Sequence, residues 1–568
     1  MKQPNITPAL HPLCALLITL LASPAALSQT PPPALPTDAG KILQQEQPAA
    51  PSTPALQSGK PLTLPADTPA AGTAAEAAGP AFTIQRIALH GASAQHNAAL
   101  QALVAPMQGQ TTTLAGLREL ANQITNWYRT QGYALARAWL PAQTLSQGQV
   151  RIEILEGQLS GYTVAGTSRA AAAITTLAQA LPTNQPLRQD QLEHTLLLIS
   201  EQPGLAGSTF TLSPGQEVGQ AQLTITPPPA TSPNAVPLMG RIYADNHGGY
   251  YSGEYRLGLQ GTWNNPTGRG DALDLALIGS NGKTITGKIG YHTLLASNGL
   301  RGGISAASTR YELGKNYKAL DAYGQAHSIG ANLTWPLLRS FNHSINLTAD
   351  AEHRWLADHI KAFDVSNRKQ ASVLQLALTG QHRDNSGISS WSAAWSGGKL
   401  SLNSADNATI DQASAKTAGY YNKVNLHLQR DQQLWGKNQL RIWGKGQWAS
   451  KNLDSSEKFS LGGVNGVRAY PQGEAYGDEG WLVRADWRYA VMDNWNIGAG
   501  YDTGGVKANR KPWLQDKNSE HRRGYALFAE GTIGSVDLQA TVAWRDGSKA
   551  QSAADRSPRF WVQAGWKF

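Results

Sequence analysis

From Pro237 to Phe568 the chain sets apolar residues on one parity and polar or charged residues on the other, strand after strand. Ile345, Leu347, Ala349 and Ala351 interleave with Asn346, Thr348, Asp350 and Glu352, while Leu273, Leu275 and Leu277 enclose Asp274. Trp481, Val483, Ala485, Trp487 and Tyr489 alternate with Arg484, Asp486 and Arg488, and the chain ends on Phe560, Val562, Ala564, Trp566 and Phe568. Successive side chains of a strand point to opposite faces, so each segment offers one wet face and one oily face. A soluble sandwich alternates too, but its buried face carries bulky aliphatics. Here many positions are Gly, Ala, Trp and Tyr, the residues of a transmembrane β-barrel with aromatic girdles.

Seventeen Trp and 18 Tyr fit such girdles, and a mean hydropathy of −0.35 leaves no room for a bundle of membrane helices. Beyond the amino terminus no stretch approaches the roughly 18 consecutive apolar residues that a spanning helix needs. Strands in lipid must close on themselves, because an open edge would leave backbone groups unpaired. At about ten residues per strand and as many again per connection, residues 237–568 hold about 16 antiparallel strands, an even number as bacterial barrels have.

Lys2, the apolar run Leu13 to Ala22 and the small residues Ser23 to Ser28 read as a secretory signal peptide over 1–28. The single cysteine, Cys14, falls inside it, so the remaining chain has no disulfide and no thiolate metal site. No cofactor is implied. Residues 29–80 are rich in Pro, Ala and Thr and read as a linker, interrupted near 38–47 by a short helix (DAGKILQQEQ). Such a helix is marginal alone in water, so it either docks or does not persist. The net charge of +9 is spread along the chain, without the clustered basic face that nucleic-acid binding needs.

From residue 81 the texture changes to two small α/β units of order βααββ, at 81–157 and 158–230. The first has strands at Phe82 to Leu89, Ala134 to Leu140 and Val150 to Leu155 around a helix from Leu114 to Gln131. Leu117, Leu120, Ile124 and Trp127 form that helix's apolar stripe. The second has a strand at Leu159 to Ala165, helices at Ala170 to Leu181 and Leu187 to Gln202, and strands at Ser208 to Leu212 and Ala221 to Thr226.

One stretch of the barrel segment does not alternate. Residues 461–480, from Leu461-Gly462-Gly463 through Val467-Arg468-Ala469-Tyr470 to Gly477-Asp478-Glu479-Gly480, form a glycine-rich loop between two strong strands. The Gly-Gly, the Val-Arg-x-Tyr and the glycine-rich exit resemble the loop motif of the BamA-like superfamily. With two preceding domains that look like POTRA domains, the chain resembles the transporter component of two-partner secretion, the outer-membrane translocators of haemolysins and filamentous haemagglutinins.

The resemblance implies that the loop folds into the lumen and that Arg468 pairs with Asp502 on the barrel wall. Read from the residues alone, Arg468 is a solvated loop charge and Asp502 a turn residue before Gly504 and Gly505, although parity aims Asp502 inward. A guanidinium fork suits a carboxylate as lysine cannot. Ala469 departs from the family pattern, which has glycine there. Phe568, the last aromatic of the last strand, reads as the barrel's carboxy-terminal signal.

The resemblance further implies a bacterial outer-membrane location with the POTRA-like domains in the periplasm, and a function in export. The POTRA-like domains would capture the amino-terminal secretion domain of an unfolded partner, and the 38–47 helix would plug the lumen at rest. Strand addition is the physical means available, with Ser208 to Leu212 and Val150 to Leu155 as candidate edges. Outer-membrane lipid is the other expected partner. The chain carries no phosphate loop, metalloprotease helix motif or nucleophile elbow, so an enzyme is the poorest reading. A barrel-assembly factor shares the fold and the loop; a passive porin would have no use for two periplasmic domains.

Overall fold

The computed structural model describes residue 35 and residues 37–46, 80–144, 147–166, 169–229, 231–232 and 236–568. The signal-peptide reading over 1–28 and the linker reading after the short helix fall outside the described residues. The chain begins, as described, with helix α1 (Ala39–Glu46).

The first α/β unit runs β1 (Phe82–Thr83), β2 (Arg86–His90), α2 (Ala94–Val104), β3 (Thr111–Thr112), α3 (Leu114–Thr130), β4 (Arg137–Trp139) and β5 (Gln149–Leu155). In α3 the apolar stripe buries Leu117, Leu120, Ala121, Ile124 and Tyr128 against Ile87, Val150 and Ile152. The Thr113 hydroxyl caps its first turn by accepting from the Gly116 amide at 3.4 Å. Gly132, at φ 88°, turns the chain away after its last turn.

The second unit runs β6 (Gln158–Val164), α4 (Ala171–Ala178), α5 (Gln189–Ser200), β7 (Thr209–Pro214) and β8 (Gln220–Thr226) over its own core of Leu159, Ile174, Leu196, Ile199, Leu223 and Ile225. Its sheet order is β6-β8-β7, and that of the first unit is β2-β5-β4. The strand Val150 to Leu155 is therefore no edge. It is the middle of its sheet, parallel to β2 on one side and antiparallel to β4 on the other.

The barrel strands are β9 (Leu238–Asp245), β10 (Arg256–Asn264), β11 (Ala272–Ser280), β12 (Ile285–Leu294), β13 (Arg301–Glu312), β14 (Ala322–Arg339), β15 (His343–Ile360) and β16 (Val365–Asp384). There follow β17 (Gly387–Leu402), β18 (Gly419–Gln433) and β19 (Asn438–Ala449). The short strands β20 (Phe459–Ser460) and β21 (Tyr476–Gly477) pair with each other in the loop after β19. Then come β22 (Glu479–Met492), β23 (Trp495–Lys507), β24 (Ser519–Ile533), β25 (Val536–Arg545) and β26 (Arg559–Lys567). All except β20 and β21 close into one antiparallel barrel of 16 strands.

The alternation places Leu275, Ile329, Leu347, Trp395, Trp487 and Phe560 on the outside, each more than a third exposed, and Asp486, Asp502 and Arg522 inside and buried. A water-soluble protein does not display so much continuous apolar surface; a lipid-facing wall does. Closure between β26 and β9 takes only five paired residues, from Gln563 opposite Asp245 to Lys567 opposite Arg241, the shortest ladder in the barrel. Phe568 extends it: its amide donates to the Gly240 carbonyl at 3.0 Å and its own carbonyl accepts from the Gly240 amide at 2.9 Å. Its ring covers Gly240, where a Cβ would lie 2.2 Å from it.

The span 461–480, read as loop throughout, contains strand at its end. Tyr476–Gly477 pairs with Phe459–Ser460, and β22 already begins at Glu479. Backbone pairing across the rim continues past the glycines, since Gly480 lies between Gln447 and Val506.

Candidate functional site

Inside the barrel the 461–480 loop descends along β22 to β24, and two arginines fix it. Arg468 belongs to the loop and is 3 % exposed. Its backbone amide donates to Asp502 Oδ2 at 2.9 Å, its Nε to the same oxygen at 2.8 Å, and one terminal nitrogen to Asp502 Oδ1 at 2.6 Å. That nitrogen also donates to Asp486 Oδ1 at 2.6 Å. One guanidinium thus bridges carboxylates on β22 and β23. Asp486 carries the inward parity of Arg484 and Arg488, and that parity is the signal by which it could have been found. Arg484, opposite Asp502 in the ladder, stands 3.4 Å from Asp502 and 3.6 Å from Asp486. Two cations and two carboxylates balance, which a buried cluster requires.

The other motif residues lock the backbone around this cluster. Val467 is buried and its amide donates to the Leu461 carbonyl at 2.8 Å. The Tyr470 hydroxyl donates to the Ser548 carbonyl at 2.8 Å, and its ring lies under the Arg522 guanidinium at 5.3 Å. Trp561 Nε1 donates to the Arg468 carbonyl at 2.7 Å. The positive φ angles of the loop fall at Gly463, Gly473 and Ala475 rather than at Ala469, so alanine after the arginine meets no backbone penalty.

Arg522 belongs to a second anchor that the sequence reading did not single out. Glu474, fully buried, accepts from Arg522 Nε at 2.9 Å, from the Ser552 amide at 2.9 Å and from the Ser552 hydroxyl at 2.6 Å. The inward parity of Arg522 on β24 was readable; its carboxylate partner, 48 residues back in an irregular loop, was not.

Helix α1 lies against the interior wall and the loop together. Ala39, Ile42 and Leu43 are buried. The Ala39 amide donates to Asp358 Oδ1 at 2.8 Å, placing a carboxylate of β15 at the helix N-terminus. The stretch leading into the loop and the loop's β21 hold the other side: the Ser455 hydroxyl donates to Asp38 at 2.8 Å, Gln45 Nε2 to the Tyr476 hydroxyl at 2.6 Å, and Gln44 to the Ser456 carbonyl. Docking therefore stabilises a helix too short to persist by itself.

Outside the barrel, α5 of the second α/β unit meets the turn from β14 to β15. Arg339, 5 % exposed, donates through Nε to Glu201 at 2.9 Å, and its amide donates to His194 Nδ1 at 3.2 Å. Burial and the neighbouring Arg339 hold His194 below its ordinary value, so it stays neutral and able to accept. Burial also pushes the Glu201 carboxyl up, with Arg339 opposing. In the first unit Glu156 directly follows β5 and is buried against α2 and α3. Burial alone would raise its carboxyl. His96 Nδ1 at 2.8 Å, the Ser93 amide at 2.8 Å and the Tyr128 hydroxyl at 2.8 Å outweigh it and keep Glu156 below the ordinary carboxylate range. Among the described residues strand β7 pairs with β8 alone, so one row of its backbone groups is open.

Among the described residues no cluster of His, Cys, Asp and Glu has the makings of a metal site. Comparison with known proteins agrees with a transport role. Residues 82–157 match the POTRA domain, ShlB-type, and residues 230–526 match the family described as haemolysin secretion/activation protein ShlB/FhaC/HecB. The heme/hemopexin transporter protein HuxB of Haemophilus influenzae is 30% identical over 385 residues, 67% of each chain. The outer membrane transporter CdiB of Escherichia coli is 25% identical over 505 residues, 84% of this chain and 80% of CdiB. Among solved structures, CdiB from Escherichia coli superposes with a TM-score of 0.72 at 20% identity over 90% of this chain and 94% of that one. CdiB from Acinetobacter baumannii gives 0.65 at 16% identity over 86% and 90%. The chain belongs to the haemolysin secretion/activation ShlB/FhaC/HecB family, and is an outer-membrane transporter of two-partner secretion that exports a partner protein from the periplasm to the cell surface.

Proposed function

We propose that the chain captures the amino-terminal secretion domain of its partner in extended form on the open edge of β7, and passes it through the barrel once helix α1 has left the lumen. The open row of backbone groups on Thr209–Pro214 carries this reading. An edge strand pairs with any extended client through main-chain hydrogen bonds, and pockets on its face sort alternate side chains. Of the two strands that the sequence offers as edges, β5 is enclosed and β7 stands at the border of its sheet. The segment from 47 to 79, drawn out at about 3.3 Å per residue, reaches on the order of 100 Å, enough for α1 to clear the barrel while tethered.

In this scheme Arg468 and Glu474 hold the loop against the wall while the client passes, and Ser455, Ser456 and Tyr476, which clasp α1, release it when the client arrives. The test is a photo-cross-linker placed at Thr211 in the full-length transporter during secretion. Adducts with the partner's amino-terminal domain from Thr211, and none from Arg151 on the enclosed strand β5, are expected. Adducts from Arg151 alone would refute capture at this edge.

A further inference from the structure

On the outer wall, the lipid-facing rows of β13, β16 and β17 end toward the extracellular rim in three exposed cations, Arg310, Arg368 and Lys399. They share the outward parity of Ile304, Leu374 and Trp395, which lie nearer the periplasm on the same strands. Arg310 and Arg368 stand on one rung of the sheet, linked through Gln325 and Ala357. Lys399 stands opposite Ser372, on the strand of Arg368. With about 4.8 Å between strands and 3.3 Å per residue, each of these two steps is about 14 Å, within the joint reach of long side chains.

Several other cations of this rim are matched by carboxylates. Arg523 meets Asp546 at 3.1 Å, Lys361 meets Asp321 at 2.9 Å, and Arg556 meets Glu254 at 2.9 Å. Among the described residues Arg310 and Arg368 make no ion pair, and the Lys399 ammonium lies only over the Tyr420 ring, 5.4 Å from its centre.

Immediately on the membrane side of these cations the wall is concave. A groove of about 1190 Å³ crosses β11 to β18 where small outward residues, Ala306, Ala331, Ala351 and Gly397, replace the bulky ones. Its upper end is polar, with His353 Nδ1 2.8 Å from the Ser372 hydroxyl, beside Lys399 and Tyr420. Glu312, the carboxylate two residues beyond Arg310 on the same face, is taken by Lys283, so the three cations keep their charge free above an apolar slot, the two-part chemistry of a lipid site. Anionic groups meet the cations, and hydrocarbon fills the slot.

We propose that the outer face of β13 to β18 binds a phosphate-bearing lipid of the outer leaflet, with its phosphates on Arg310, Arg368 and Lys399 and its acyl chains in the groove. The full-length transporter, purified from outer membranes in mild detergent, should retain phosphorylated glycolipid, counted per barrel by native mass spectrometry. Added back to delipidated wild-type protein, that glycolipid should bind on the order of a hundredfold more tightly than its dephosphorylated form. Arg310→Ala/Arg368→Ala/Lys399→Ala should abolish the difference, while Arg523→Ala on the opposite wall leaves it. Ala351→Leu, which fills the groove and keeps every charge, should weaken both forms alike. Equal binding of the two forms by wild-type protein would overturn the proposal. So would a triple variant that alters oligomeric state with its lipid content unchanged.

Discussion

The Cβ of Ala469 occupies the space that a side chain on Gly524 would need: a Cβ built on Gly524 falls 2.6 Å from it. The loop's departure from the family pattern is thus matched on the wall, where β24 has no side chain at the point of contact. Gly524→Ala should push the loop off the wall at a cost of about 1–3 kcal/mol, as overpacking does. Adding Ala469→Gly should restore only part of the loss, because the Trp544 carbonyl oxygen is also 2.7 Å from the built Cβ. Limited proteolysis within 461–480 reads both effects, and full rescue would show that the strand carbonyl does not matter.

Arg468 touches two carboxylates through a fork that lysine lacks. Arg468→Ala leaves Asp486 and Asp502 with Arg484 alone, and breaking a buried pair in this way costs about 3–5 kcal/mol. Partner secretion should fall strongly while the barrel still inserts. Asp502→Asn added to Arg468→Ala should cost much less than the two single losses summed, since the second change removes a charge already stranded. Secretion of partner into the medium, against barrel abundance in the outer membrane, measures this. Strict additivity would mean that the two side chains act independently.

The wall was legible because a strand's period is two and a lipid-facing surface enforces it at every position; the inward aim of Asp502 follows from the outward aim of Trp495 and Ile497. Contacts made by irregular backbone were not. Glu474 reaches Arg522 through a loop whose path no periodicity encodes, and the contact of Ser456 with α1 joins residues more than 400 positions apart. Sheet order was illegible for a related reason. Val150 to Leu155 alternates as an edge strand would, yet parallel pairing with β2 encloses it. Hydropathy marks which face of a strand is buried and carries no record of how many neighbours it has.

Gly40 is the point where α1 touches the stretch before β20, and a Cβ there would fall 2.8 Å from both the Cβ and the backbone nitrogen of Ser456. Leucine is the better helix former by close to 1 kcal/mol, so Gly40→Leu strengthens the helix while blocking its seat. If α1 plugs the lumen, single-channel conductance in planar bilayers should rise to the level seen when residues 38–47 are deleted. Conductance equal to the wild type's would separate the helix from the conducting path.

The first α/β unit should lose stability in acid through Glu156. Its carboxyl is held below its ordinary value of 4.5, so the folded state binds the proton less readily than the unfolded chain. The stabilisation is therefore fully present above that value and is lost as pH falls through the depressed folded value. Hydrogen exchange of the α2 and α3 amides in the full-length transporter should show protection constant from neutrality to about pH 5, once intrinsic rates are divided out, and falling below it. Glu156→Gln keeps the shape and removes the titration; its protection should be lower at neutral pH and flatter toward acid. An acid loss of the same size in that variant would place the sensitivity in another group.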